Sequence, residues 1–210
     1  MADNFLENQY DAWAHRQKVT VRRSALSLDT LLHDNRSHRG YDNSVVVSED
    51  QLHDIVRVCT LLPSGHNAQV LRYRCVTAEE AGKVLPHIRL GGAIPELHLP
   101  LPGTEPRAFV VACTTVPMTP TVWMDLGIAC EAMGLKAVEK GLNALIIRAF
   151  DAAAVKEALA LPLEPVAVLA VGKGGERIFL KPTPAGESLK YYRKDGVHFV
   201  PKLPLEDILI

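Results

Sequence analysis

Two short polar clusters carry the residue types in this chain that are best suited to chemistry: Arg36-Ser37-His38-Arg39 and Pro63-Ser64-Gly65-His66-Asn67-Ala68-Gln69. Two guanidinium forks three residues apart, flanking a hydroxyl, suit a phosphate monoester. In the second cluster Gly65 permits an unusual turn, and Asn67 and Gln69 each offer donors and acceptors for the polar edge of a heterocycle. By itself the first cluster is also in keeping with solvated surface charge, and the second with a helix stop and turn. Together, on either side of one predicted helix and each where a loop meets a regular element, they read as an anion and heterocycle site.

Rival chemistries find little support. Ser64 and His66 sit outside any G-x-S-x-G elbow, and neighbours in sequence do not form a triad without tertiary partners. The 8 histidines include no H-E-x-x-H pair, so His33, His38, His53 and His66 are read as surface or hydrogen-bonding residues and no metal is expected. No G-x-G-x-x-G follows a predicted strand, which argues against a dedicated dinucleotide domain. Cys59, Cys75, Cys113 and Cys130 show no C-x-x-C spacing and lie in apolar runs, as reduced core thiols do.

Elements that would position the clusters follow from periodicity and caps. An amphipathic helix is predicted over residues 2–17, within an N-terminal arm of residues 1–20, from Phe5, Leu6, Tyr10 and Trp13. Ser48-Glu49-Asp50-Gln51 is a capping box opening a helix whose Leu52, Ile55, Val56, Cys59 and Leu62 share a face and which ends at Pro63. Tyr73-Arg74-Cys75-Val76 reads as a strand, Thr77 with Glu80 as the start of another helix, and residues 95–106 as a proline-rich rim. The run Ala108-Phe109-Val110-Val111-Ala112-Cys113 is apolar enough for a central strand covered on both faces. A long helix over residues 119–140 carries Leu126, Ala129, Cys130, Met133 and Ala137 at helical spacing, a stripe read as core or subunit interface, with Asp125 and Glu131 as helix-surface or local hydrogen-bonding groups. Residues 142–147 and 165–171 read as strands around a helix capped by Asp151. Asp195-Gly196 between Tyr191-Tyr192-Arg193 and Val197-His198-Phe199 signals a hairpin whose tyrosines pack. The alternation of types with no internal repeat gives an α+β layer fold.

With 210 residues and 48% hydrophobic content the chain can bury a sizeable core. Lys and Arg total 23 against 24 Asp and Glu, so there is no general attraction to nucleic acid or to an acidic membrane. The first residues lack a signal pattern, and a cytoplasmic, membrane-free protein is expected.

The order of Arg36-Ser37-x-Arg39, Pro63-Ser64-Gly65-x-Asn67-x-Gln69, Asp125-x-Gly127-x-Ala129-x-Glu131-x-Met133 and the Pro-Lys-Leu-Pro-Leu-Glu tail resembles the FMN-dependent nitroreductase family over residues 31–210. The resemblance implies a three-layer α+β fold with a central, mainly antiparallel sheet flanked by helices, in an intertwined homodimer with FMN at the subunit interface. It implies a single FMN-binding domain over residues 1–210, with the arm at 1–20 and an extended C-terminal tail at 173–210. Carried across, Arg36, Ser37 and Arg39 would hold the phosphate and ribityl chain, with Lys202 as a further cation. Pro63, Ser64, Gly65 and Asn67 would reach the flavin from the neighbouring subunit, and Gln69 would meet the polar edge of the ring. Ile146, Ile147 and Arg148 match the segment beside N5, Arg148 being placed to tune the flavin. Asn35 stands where the family commonly has arginine.

The implied activity is hydride transfer from NADH or NADPH through FMN to a nitroaromatic, quinone or similar small acceptor, with ping-pong kinetics. No side chain need act as a nucleophile, so no catalytic residue is expected. The alternative on the same scaffold is a non-catalytic flavin-binding or redox-sensing protein.

Overall fold

The computed structural model describes residues 26–92 and 97–210. The N-terminal arm, with its expected helix, lies outside the described residues. Helices α1 (Leu28–Asp34) and α2 (Glu49–Arg57) come first, then strands β1 (Leu71–Val76) and β2 (Ala108–Thr114). The long helix α3 (Pro120–Glu139), strand β3 (Asn143–Ile147), helix α4 (Ala152–Ala158) and strand β4 (Glu164–Gly172) follow. Strands β5 (Arg177–Pro182), β6 (Tyr192–Lys194) and β7 (Val197–Lys202) complete the regular structure.

Four strands form an antiparallel sheet in the order β1-β2-β4-β3. All of β2 is buried, and its side chains alternate between two cores as strand geometry requires. Ala108, Val110 and Ala112 face α2 and α3, packing with Leu52, Ile55, Leu126, Cys130 and Met133. Phe109 and Val111 face the opposite way, toward Val155 and Leu159 of the α4 segment and Val84 of the loop after β1. The result is the expected α+β arrangement of three layers, with the antiparallel sheet between helices. The register slips between Ala112 and Cys113, where Pro165 on β4 has no N–H to give to the ladder.

Most of the predicted helix signals are used. Ser48 accepts from Gln51 N while the Gln51 side chain returns to Ser48 N, completing the capping box. Thr119 accepts from Val122 N to open α3, and Gly141 follows its end at φ 73°. Asp151 accepts from Ala154 N to open α4. The helix expected after Thr77 is instead two short 3-10 turns, Ala81–Lys83 and Leu85–His87, because Gly82 and Pro86 interrupt it.

The C-terminal region also differs from the extended tail expected over 173–210. β5, β7 and β6 form a second, three-stranded sheet, with β5 and β7 parallel. Asp195 and Gly196, at φ 51° and 73°, make the tight turn between β6 and β7. Tyr192 stacks on Phe199 with centroids 5.1 Å apart, and Tyr191 on His198 at 5.2 Å. This hairpin gives β5 a partner and so turns the tail into a sheet. Among the described residues no helix is long and apolar enough to cross a membrane.

Candidate functional site

Helix α3 organises three segments. Near its N-terminus the buried Asp125 carboxylate accepts from Gly65 N at 2.9 Å, which docks the loop of residues 63–69. Trp123 of the same turn lies under the Arg148 guanidinium, 3.9 Å from the ring centroid. In the middle of the helix Glu131 accepts from Asn35 Nδ2 at 3.0 Å, and Gly134 leaves room for the Asn35 side chain, which a Cβ there would meet at 2.9 Å. Asn35 caps α1 immediately before Arg36.

At about 100° of turn per residue, Trp123, Glu131 and Gly134 fall within an arc of roughly 80° on α3, whereas Asp125 lies about 200° from Trp123. The phosphate-side loop and the Arg148 segment therefore share one side of the helix. The ring-side loop occupies the other.

The ring-side loop has an unusual backbone. His66, Asn67 and Gln69 have φ of 52°, 52° and 47°, a left-handed region that costs non-glycine residues about 1–2 kcal/mol each, less for Asn. Compensation comes from Ser64 Oγ, which accepts from Gln69 N at 3.2 Å, from Gln69 Nε2 donating to Asn67 Oδ1 at 3.0 Å, and from the Asp125 anchor. A Cβ on Gly65 would lie 2.1 Å from Thr121 Cγ2, so the loop's seat on α3 requires glycine there. Beneath Pro63, Ser64 and Gln69 opens a cavity of about 270 Å³, walled by residues of α2, β1 and α3.

The phosphate-side loop is held by charge. Glu176 accepts from Arg39 N and, at 3.2 Å, from Gly40 N, while its other oxygen accepts from Arg193 of β6. Glu176 N donates to His38 Nδ1 at 3.4 Å. Arg39 donates to the Ser37 carbonyl and lies 5.1 Å over the Tyr191 ring. His38 packs where Gly174 has no side chain, its ring 2.5 Å from a would-be Cβ. Burial lowers the pKa of His38, with Glu176 opposing, and burial also lowers that of His198, aided by Arg39. Burial likewise lowers the Arg36 pKa, against the pull of Glu131 and Asp34.

Arg36, Ser37 and Arg39 are thus neighbours in one loop. Pro63, Ser64, Gly65, Asn67 and Gln69 share a second loop, and Ile146, Ile147 and Arg148 the end of β3. Lys202 ends β7 four residues beyond His198, the β7 residue whose pKa the Arg39 charge helps to lower; that is about 13 Å along an extended strand.

Among the described residues Arg36 Nε is buried without a hydrogen-bond partner, while Arg36 Nη2 donates to the Leu32 carbonyl, and Ser37 is exposed. These groups fit an anionic oxygen. The main-chain donors of Arg39 and Gly40 are already satisfied by Glu176. Glu176, Arg193, His198 and the Gly174-Gly175 pair escaped the motif reading; the run Gly172-Lys173-Gly174-Gly175 was the visible hint of a close backbone approach. Asp125, read as a helix-surface or local hydrogen-bonding group, is the buried anchor of a loop 60 residues away in sequence.

Residues 107–173 match the nitroreductase family model. Among solved structures, the chain is similar to the FMN and NADPH-dependent nitroreductase NfnB from Sphigopyxis sp. strain HMH, at 19% identity and a TM-score of 0.59, over 71% of this chain and 89% of that one. A protein from Exiguobacterium sibiricum 255-15, solved in complex with FMN, aligns at 17% identity and a TM-score of 0.59, covering 73% and 91%. The nitroreductase family protein of Streptococcus pneumoniae TIGR4 aligns at 15% identity and a TM-score of 0.62, over 88% of this chain and 99% of its own. No curated protein matches the chain at a comparable level. The resemblance read from the motifs is met by these matches, and the fold is that of the nitroreductases.

Proposed function

We propose that the protein is an FMN-dependent oxidoreductase that takes a hydride from NADH or NADPH and passes electrons to a small nitroaromatic, quinone or related acceptor. The observation that carries this reading is the strained ring-side loop, anchored to α3 by Asp125 in a chain with the nitroreductase fold. Strain of this kind persists where the surroundings over-determine it, most often at binding sites. The flavin, when bound, supplies the hydride chemistry.

The protein's residues have separate tasks. Arg36 and Ser37 hold the phosphate, Arg36 through its Nε, which among the described residues has no partner. Gly134 and Trp123 lie eleven residues apart on α3, about 16 Å along its axis, a span suited to an elongated ligand with its anion at one end. Ile146 and Ile147 bring the end of β3 to the ring, and Arg148, held over Trp123, adds positive charge there. That charge favours a reduced, anionic ring. Ser64, Asn67 and Gln69 offer polar atoms to the ring edge. Because their loop sits across α3 from the other segments, the reading requires it to come from a second copy, forming a homodimer. The exposed Trp123, Met124 and Ile128 face of α3 supports such contact.

The test is the visible spectrum of the purified protein with FMN, under anaerobic conditions, before and after NADH or NADPH. Rapid bleaching of protein-bound flavin is expected. Bound flavin that stays oxidised would instead favour a binding or sensing protein, and failure to bind FMN would refute the reading.

A further inference from the structure

One face of the second sheet combines open aromatic rings with cations. Its register sets Phe179 of β5 and Tyr192 of β6 on either side of Phe199 of β7, so the three rings form a row across the sheet. Phe199 meets Phe179 edge-on at 5.7 Å between centroids, and stacks on Tyr192 at 5.1 Å. The row stays open to water, with Phe179 53% and Tyr192 39% exposed. By the same alternation Arg177, Lys181 and Lys194 share this face, and all three are exposed. They enter no ion pair among the described residues. The strand positions of the face, 177, 179, 181, 192, 194, 197, 199 and 201, hold no Asp or Glu.

An exposed apolar patch rimmed by polar groups marks an interaction surface. A second copy presenting the same face across a two-fold axis would set these cations against one another. A matched occupant brings apolar side chains and carboxylates together.

The chain's own N-terminal arm has that composition. Residues 2–14 include Asp3, Glu7 and Asp11 and no Lys or Arg. In the helix that their periodicity predicts, Leu6, Tyr10 and Trp13 fall within an arc of roughly 60°, and Asp3, Glu7 and Asp11 within roughly 80° beside it. Of the large apolar side chains only Phe5 falls outside. The tether is also long enough, since the 13 residues 15–27 can span up to about 43 Å. They lead into α1, about 10 Å long, which ends at the loop whose Arg39 lies over Tyr191, next to Tyr192 of the edge strand β6. Tethering on this scale raises the local concentration of the arm to about the mM range, at which a weak contact is occupied.

We infer that the face bearing Phe179, Tyr192 and Phe199 is the docking site of the chain's own N-terminal arm, residues 2–14, with Leu6, Tyr10 and Trp13 laid on the aromatic row and the three carboxylates among the cations. This docking is independent of flavin binding and of turnover.

The full chain carrying p-benzoylphenylalanine, an aromatic of similar size, in place of Trp13 is irradiated and its adducts are mapped by mass spectrometry. Adducts within one chain on residues 177–202 are expected; adducts confined to other segments, or formed only between two chains, overturn the inference. Hydrogen exchange of residues 2–14 gives a second reading. Arg177→Glu, Lys181→Glu and Lys194→Glu together are expected to speed it about tenfold, the combined worth of three exposed ion pairs. Adding Asp3→Lys, Glu7→Lys and Asp11→Lys to that background should slow it again toward the original rate. Exchange that the reversal leaves unchanged, or that the restored complementarity fails to slow, overturns the inference. So does a fluorescent single-stranded oligonucleotide that binds the unaltered chain and is released by the cation reversal, because the face would then belong to nucleic acid in place of the arm.

Discussion

The two loops that flank α2 are built on different principles. The phosphate-side loop is fixed by a carboxylate, a guanidinium and two buried histidines, with the Glu176 side chain 12% exposed at the centre. The ring-side loop is fixed by backbone shape: one glycine seat, three left-handed residues and a single carboxylate anchor. Charge networks ordinarily specify one arrangement at the expense of sensitivity to pH, whereas strained backbone specifies one at the expense of any added side chain. The first loop is thus coupled to the stability of the whole molecule through the second sheet, and the second loop is coupled chiefly to what it binds.

Four perturbations separate these behaviours. Glu176→Ala leaves Arg193 and the N–H groups of Arg39 and Gly40 without their acceptor, and should cost about 3 kcal/mol of stability by denaturant titration. A loss below about 1 kcal/mol would mean that charge does not organise that loop. Gly65→Val should do the reverse: global stability falls by less than about 1 kcal/mol, whereas FMN, followed by fluorescence quenching, binds roughly 100-fold more weakly, about 2.7 kcal/mol. If FMN affinity survives that substitution, the ring-side loop does not touch the flavin.

The third perturbation is acid. Burial depresses the folded pKa values of His38 and His198, so the unfolded chain takes up protons first as pH falls below the ordinary histidine value of about 6.5. Their contribution is complete above that value and is lost as pH falls through the depressed folded values. The melting temperature should therefore drop between pH 7.5 and 5.5, and His38→Asn should flatten the dependence. A profile that His38→Asn leaves as steep as before would place the titration elsewhere. The smallest effect belongs to Trp123→Leu, which removes a cation–π contact worth about 0.5–1 kcal/mol at an exposed site. Its informative readout is the reduction potential of bound FMN, which should fall as Arg148 loses its fixed position; an unchanged potential would remove Arg148 from the flavin's surroundings.

What was legible in the sequence was local. The Ser48 capping box, the Asp151 cap and the Asp195-Gly196 turn act over a few residues, and each is found where its pattern implied. β2 declared itself central because Ala108 to Cys113 are all apolar. The partnerships that make the site were not legible, since they join residues far apart in the chain: Gly65 with Asp125, Asn35 with Glu131, Arg39 with Glu176. A glutamate after a glycine pair has no periodicity to betray it. The second sheet escaped for the same reason, because β5 finds its partner in β7 only after the intervening hairpin has turned.

The opposed seats on α3 have a consequence in genetic terms. On the proposed pairing, each flavin takes its phosphate-side loop from one chain and its ring-side loop from the other, so a lesion acts in trans. A chain broken at Gly65 and a chain broken in the phosphate-side loop, each inert alone, would form a mixed pair in which one composite site has both loops intact and the other has neither. Activity would return by complementation between two defective alleles, without either sequence being repaired.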